Sequence, residues 1–367
     1  PVARIGTEEE MEKRAARTPW PVVLLIVLAC TGLAVLLSYL ITGAGSTQVG
    51  AAVPLGLRAS LDVNVLDDGV IYYDGAMIGA LDANGNLKWN YSAGINAKYD
   101  VSQDGVATWT DTSLSFIESA TGATMYSGAT TMPVLSATAM LGTDETSAQL
   151  LIYELTGRQI DQVDLAGQIV MDFGFFSNGA LLWVMTMDTS GSVPMSIITT
   201  YQPGRQTLGS VREIEEVVYR TLFQASQLRA VGTTYIKTYD YAGSEITSER
   251  KLVYGWYMEA VEENVSDPLM ALVPVAQSDA MAQISDVKLI QGGTERLLRM
   301  PFPCDAIFCR AGTLYGFSDS AVMICRAGET RARAYQLPIV VDGVVGVTSA
   351  NTAIVESAGE LYTIALP

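Results

Sequence analysis

From about residue 51 to its end the chain repeats one pattern of apolar and polar positions. Short runs rich in Val, Ile, Tyr and Thr are broken every eight to twelve residues by Gly, Asp, Asn or Ser, and the 3.6-residue period of an amphipathic helix is scarce. Runs of that length and composition, punctuated by turn formers, predict strands joined by tight turns, an all-β protein. Residues 22–42 break the pattern. They read VVLLIVLACTGLAVLLSYLIT, 21 positions without a charge, of which 13 are Leu, Ile or Val. A helix of that length spans roughly 31 Å, the thickness of a bilayer core. Its apolar residues offer about 4–8 kcal/mol towards insertion. The segment is expected to be a single transmembrane helix.

The flanks set its orientation. Arg4, Lys13, Arg14 and Arg17 precede the apolar run, whereas residues 43–62 contain only Arg58. Basic residues stay on the cytoplasmic side, and nearby acids do not cancel them. Residues 1–21 are therefore expected as a cytoplasmic tail and 22–42 as the span. Residues 43–50, with their Ser, Gly and Thr, read as a linker, and 51–367 as the extracytoplasmic domain. An apolar run this long exceeds the roughly 7–15 residues of a signal-peptide core, so an uncleaved signal anchor is the reading, with cleavage near residues 42–44 as its alternative. The expected location is the plasma membrane, crossed once.

Two stretches of the exterior part align. DGVIYYDGAMIGALDANGNLKWNYSAG begins at Asp68 and DGVATWTDTSLSFIESATGATMYSGA at Asp104. Each has Asp-Gly, two strands, a turn ending in Gly, and a third strand with an aromatic residue. The turn glycines are Gly85 and Gly122, followed by the aromatics Trp89 and Tyr126. Comparable strand–turn–strand sites recur at Gly157, Gly204, Gly243, Gly293 and Gly328, at intervals of 37, 35, 47, 39, 50 and 35 residues. A variable period near forty suits four-stranded blades whose loops differ in length, which is a β-propeller. Dividing the exterior length by the period gives eight blades, with seven as the alternative. The last unit, from residue 340, holds three strands, so the segment 47–55 is the candidate for a closing outer strand that leaves no free edge.

The segment Ala80-Leu81-Asp82-Ala83-Asn84-Gly85-Asn86-Leu87-Lys88-Trp89 resembles the repeat of quinoprotein-like (PQQ-like) β-propellers. The resemblance implies that Gly takes the positive φ of the turn and that the aromatic fills the gap between blades. The second unit keeps the turn with Tyr126 in place of Trp, and later units keep the turn and lose the aromatic. Quinoprotein dehydrogenases need a metal site, a catalytic Asp and a Trp floor. None of these maps onto this chain, so no cofactor is expected.

Charge and composition narrow the function. The chain has 39 acidic and 22 basic residues, a net charge of −17, and no His. Ser-His-Asp and Cys-His nucleophile pairs are excluded, as is His-ligated zinc. A polyanion makes a poor partner for nucleic acid. Asp82, Asn84 and Asn86 have the opening spacing of a calcium loop, but Leu87 and Ala93 stand where Gly and Glu are required, so a turn is the better reading. Asp67-Asp68-Gly69 likewise reads as a solvated turn. Cys304, Cys309 and Cys325 match no zinc spacing, and packing is preferred to one disulfide with a free thiol. The longest irregular insert is 262–283. The function expected is a non-catalytic, membrane-tethered binding or scaffold module for an envelope protein or polymer. The alternative is a degenerate quinoprotein-type oxidoreductase or a carboxylate-dependent hydrolase.

Overall fold

Each predicted turn brings a strand back antiparallel to the one before it, so the chain is laid down as successive four-stranded meanders. The computed structural model describes residues 49–130, 136–138, 141–144, 149–165, 168–176, 180–213, 216–224, 227–262, 265, 267–278 and 282–367. Among them the strands pair into eight four-stranded sheets. In chain order these are sheet 1 (62–92), sheet 2 (98–129), sheet 3 (136–164), sheet 4 (169–213), sheet 5 (218–252), sheet 6 (256–304) and sheet 7 (306–336), then sheet 8 (343–365), which also takes the strand Ala52–Arg58. The expected tail and span lie outside the described residues. Among those described, no helix is long and apolar enough to cross a membrane.

The core is a ring of interfaces. Neighbouring sheets pack face to face through apolar clusters, each shared by two sheets. Ile71 and Trp89 meet Val106 and Ile117 between sheets 1 and 2, and Phe116 meets Tyr153 and Leu155 between sheets 2 and 3. Leu150 and Leu182, then Trp183 and Leu228, then Ile236 and Met270 continue the series through sheets 3, 4, 5 and 6. Leu298 with Leu314, and Tyr315 with Val355, carry it to sheet 8. Ile354 and Leu361 of sheet 8 then pack on Val70 and Leu81 of sheet 1, which closes the ring.

Closure rests on strand Ala52–Arg58. It pairs antiparallel with Glu360–Ala365, placing Ala52 opposite Ile364 and Arg58 opposite Glu360. The closing strand thus begins five residues after position 47 and runs three past position 55. Just before this strand the Gly50 N–H donates to the Ala365 carbonyl at 2.8 Å. All seven predicted turn glycines have φ between 73° and 93°. Each joins the third strand of its sheet to the fourth. Seven suffice for eight sheets because in sheet 8 that junction is the non-covalent pairing of Ala52–Arg58 with Glu360–Ala365.

The insert 262–283 is corrected by the structure. Its apolar half forms strand Met270–Pro274, the second of sheet 6, with Ala271, Leu272 and Val273 fully buried. A strand covered on both faces shows no alternation, so MALVP reads as an apolar loop in sequence.

Candidate interaction face

The sequence-named residues are brought together in pairs across sheet boundaries. Trp89 lies on the outermost strand of sheet 1, and its ring lies over Gly122, the turn of sheet 2. A Cβ at Gly122 would sit 2.6 Å from the indole Cγ. The indole N–H donates to the Ser119 carbonyl of the same turn at 2.8 Å. Tyr126 covers Gly157 of sheet 3 in the same way. Here the glycine is required twice, for its φ and for the approach of the ring.

Later sheets replace the aromatic with polar groups that reach the same place, which the sequence reading missed. Asp161 Oδ2 accepts the Gly204 N–H at 2.7 Å, four residues beyond Gly157 just as Trp89 stands four beyond Gly85. Lys251 Nζ donates to the Gly293 carbonyl at 2.9 Å, and the Arg296 guanidinium to the Arg326 carbonyl at 3.3 Å. The role is docking onto the next turn, and an aromatic is only one way to fill it.

Asp82 is a turn cap. Its Oδ1 accepts the N–H groups of Asn84 and Asn86 at 2.9 and 2.8 Å, and its Oδ2 the Asn86 side-chain amide at 2.9 Å. Those bonds, led by the Asn86 amide, hold its carboxyl below the ordinary Asp value. Asp67 and Asp68 are exposed, in keeping with a solvated turn, and each also carries an ion pair. Asp68 meets Lys88 at 2.7 Å, and Asp67 meets Arg310 of sheet 7, on the far side of sheet 8.

Cys304, Cys309 and Cys325 are buried free thiols. Cys309 and Cys325 both stand opposite Leu314, on the strands either side of it. Two strand spacings, roughly 9–10 Å, exceed the reach of a disulfide. Burial pushes the Cys304 thiol up to about 12, so it stays protonated and packs as a small apolar group.

The meander gives the ring two loop faces. The turn face carries the seven glycines and the loops joining first to second strands. The connector face carries the loops joining second to third strands and the connectors between sheets. Backbone bonds tie these connectors to the loops, among them Val253 N–H to the Thr234 carbonyl (2.7 Å) and Val275 N–H to the Gly255 carbonyl (3.0 Å). First strands lie side by side between sheets 2 and 3, 6 and 7, 7 and 8, and 8 and 1.

Exposed apolar side chains gather on the connector face of sheets 4, 5 and 6. Ile169, Val170 and Met171 open the innermost strand of sheet 4, with Val193 on its outer loop. Val217 enters sheet 5, and Tyr254, Tyr257 and Val275 belong to the entry and loop of sheet 6. Tyr254 is 77% exposed and Val193 61%. Tyr257 stacks on Tyr219 with ring centroids 5.0 Å apart, which fixes both rings. Around this sector stand Asp172, Asp188 and Glu216 against Arg212 and Arg220. Glu216 caps sheet 5 by accepting the Thr234 N–H at 2.6 Å. Sequence reading missed the sector because its members are scattered over more than a hundred residues. Among the described residues no group of three or more Cys, Asp or Glu is arranged to hold a metal ion.

No protein-family model and no curated protein matches the chain. Solved structures do. The C-terminal WD40 domain of Sif2 superposes with a TM-score of 0.57 at 12% identity, covering 87% of this chain and 99% of that one. The WD40 domain of SCAP from fission yeast gives 0.56 at 9% identity, covering 86% and 97%. Sqt1 of Saccharomyces cerevisiae gives 0.52 at 10%, covering 87% and 96%. At these identities the likeness speaks to the fold alone: the chain is an all-β protein with the β-propeller fold.

Proposed function

We propose that this chain is a membrane-tethered, extracytoplasmic β-propeller that holds a protein partner on its connector face and performs no catalysis of its own. The observation that carries the reading is the apolar sector over sheets 4–6. Apolar side chains that could have turned inward are instead displayed together, and a concentrated exposed patch is the mark of an interaction surface. Such a sector suits an envelope protein better than a hydrophilic polymer. The uncharged run at 22–42 and the basic residues before it support the tether and the plasma membrane location. Trp89 docked on Gly122, with its N–H on Ser119, supports kinship with the quinoprotein-like repeat.

Site-directed photo-cross-linking in native membranes tests the reading. A photoreactive residue at position 254 is expected to give a discrete adduct with one protein. Leu297, 72% exposed on the outermost strand of sheet 6, is the comparison position and is expected to give none. Met171→Asp with Val275→Asp should abolish the adduct. Equal labelling from both positions, or an adduct unmoved by the two substitutions, would refute an interaction site here.

A further inference from the structure

Sheets 5 and 6 make apolar contact through Val231, Ile236, Met270 and Ile290. Towards the turn face they part, leaving a cleft of about 480 Å³ with Ile236, Met270 and Ile290 as its floor. Arg229, Lys251, Glu249 and Asp267 form its charged walls, and of the two cations Lys251 is already engaged by the Gly293 carbonyl at 2.9 Å. The cleft opens on the face opposite the apolar sector and is independent of any partner held there.

Arg229 stands opposite Thr238 on the neighbouring strand. Among the described residues its guanidinium has no hydrogen bond and no ion pair. Its environment is half-buried, so burial works against the charge, while the more distant carboxylates of Glu249 and Asp267 favour it. An arginine stays charged in a protein, and a partly desolvated cation without a partner is costly. Among the described residues both carboxylates are anchored through one oxygen. Glu249 Oε1 accepts the Gln227 amide at 3.2 Å, and Asp267 Oδ1 accepts the Gly292 N–H at 2.9 Å.

A cationic fork, two half-used carboxylates and an apolar floor make a specific set. A multiply charged anion drawn to Arg229 is repelled by the carboxylates, and a simple cation is repelled by Arg229. We propose that the cleft binds a small zwitterion with an alkyl side chain, an amino acid or short peptide. Its carboxylate lies on the Arg229 fork, its ammonium group between Glu249 and Asp267, and its side chain on Ile236, Met270 and Ile290. Bidentate pairing is the geometry a guanidinium offers a carboxylate, and the cleft has the size of ordinary small-molecule sites, roughly 300–1,000 Å³.

Titration calorimetry on the full chain in detergent decides the matter, with leucine and leucyl-leucine as probes. Saturable binding of either is expected, and the tighter of the two identifies the source as free amino acid or peptide. The single-charge analogues 4-methylpentanoate and 3-methylbutylamine should each bind at least roughly tenfold more weakly, since each leaves one charged wall unpaired. Arg229→Lys keeps the charge, loses the fork and should weaken binding by roughly tenfold at an unchanged melting temperature. Should Arg229→Gln fail to fold, the analogue series on the native chain and the Lys variant remain decisive. Absence of binding by both zwitterions, equal binding of 4-methylpentanoate, or an unaffected Arg229→Lys variant would each overturn the assignment.

Discussion

Trp89 shows how much a single side chain holds. It is buried, packs against Val106 and Ile117 of the next sheet, and donates to Ser119. Trp89→Ala should cost about 3–5 kcal/mol, the range for removing a large buried aromatic. Trp89→Phe, which keeps a ring over Gly122 and loses the N–H, should cost less and leave the Ser119 carbonyl short of a donor, about 1–3 kcal/mol. Urea unfolding followed by fluorescence or circular dichroism separates the two. Asp82 makes a prediction about pH. Its carboxyl is held below its ordinary value by bonds to the ionised form, so its contribution to stability is present above the unfolded-state value, about 3.9. That contribution is lost as pH falls through the lower folded-state value. Asp82→Ala should therefore lower the melting temperature at pH 7 and differ little from the parent chain near pH 2. A constant difference at both pH values would show that the turn does not depend on the carboxylate.

At the scale of an element, strand Ala52–Arg58 has an importance out of proportion to its length. It supplies the outermost strand of sheet 8 and brings Leu55 and Leu57 into the cluster shared with sheet 1. A chain starting at residue 60 should aggregate or melt well below one starting at residue 46. The loss leaves Glu360–Ala365 as an unpaired edge and removes two buried leucines, at about 2–5 kcal/mol for each comparable truncation. Equal melting of the two chains would mean that the ring does not depend on its closing strand. Strand Met270–Pro274 is the opposite case. It lies inside a sheet and is covered on both faces, so its apolar run has no polar face to betray it.

For the whole molecule, the consequence of the ring is that distant residues become neighbours. Asp67 and Arg310 are 243 positions apart and pair across sheet 8. Ile169, Val217 and Tyr254 belong to three sheets and share one face because every meander begins at the same end of its sheet. The separation of a turn face from a connector face is a property of this arrangement and of no local segment.

What the sequence determined by itself is local. Glycine at Gly85, Gly122, Gly157, Gly204, Gly243, Gly293 and Gly328 is readable because a tight turn of positive φ tolerates little else, and its spacing follows from the length of a four-stranded unit. The β class and the docking aromatic Trp89 are legible for the same reason, since backbone sterics and one large side chain act within a few residues. Only the tertiary structure decided that Asp161, Lys251 and Arg296 take over the docking role, because contact with the next turn is met by any side chain that reaches it. It alone decided that the apolar half of 262–283 is core, that Cys309 and Cys325 are held apart by Leu314, and that the scattered members of the connector face form one sector. Turns are encoded by short-range sterics, whereas surfaces are made by packing between segments far apart in the chain, and no window of sequence contains both sides of such a contact.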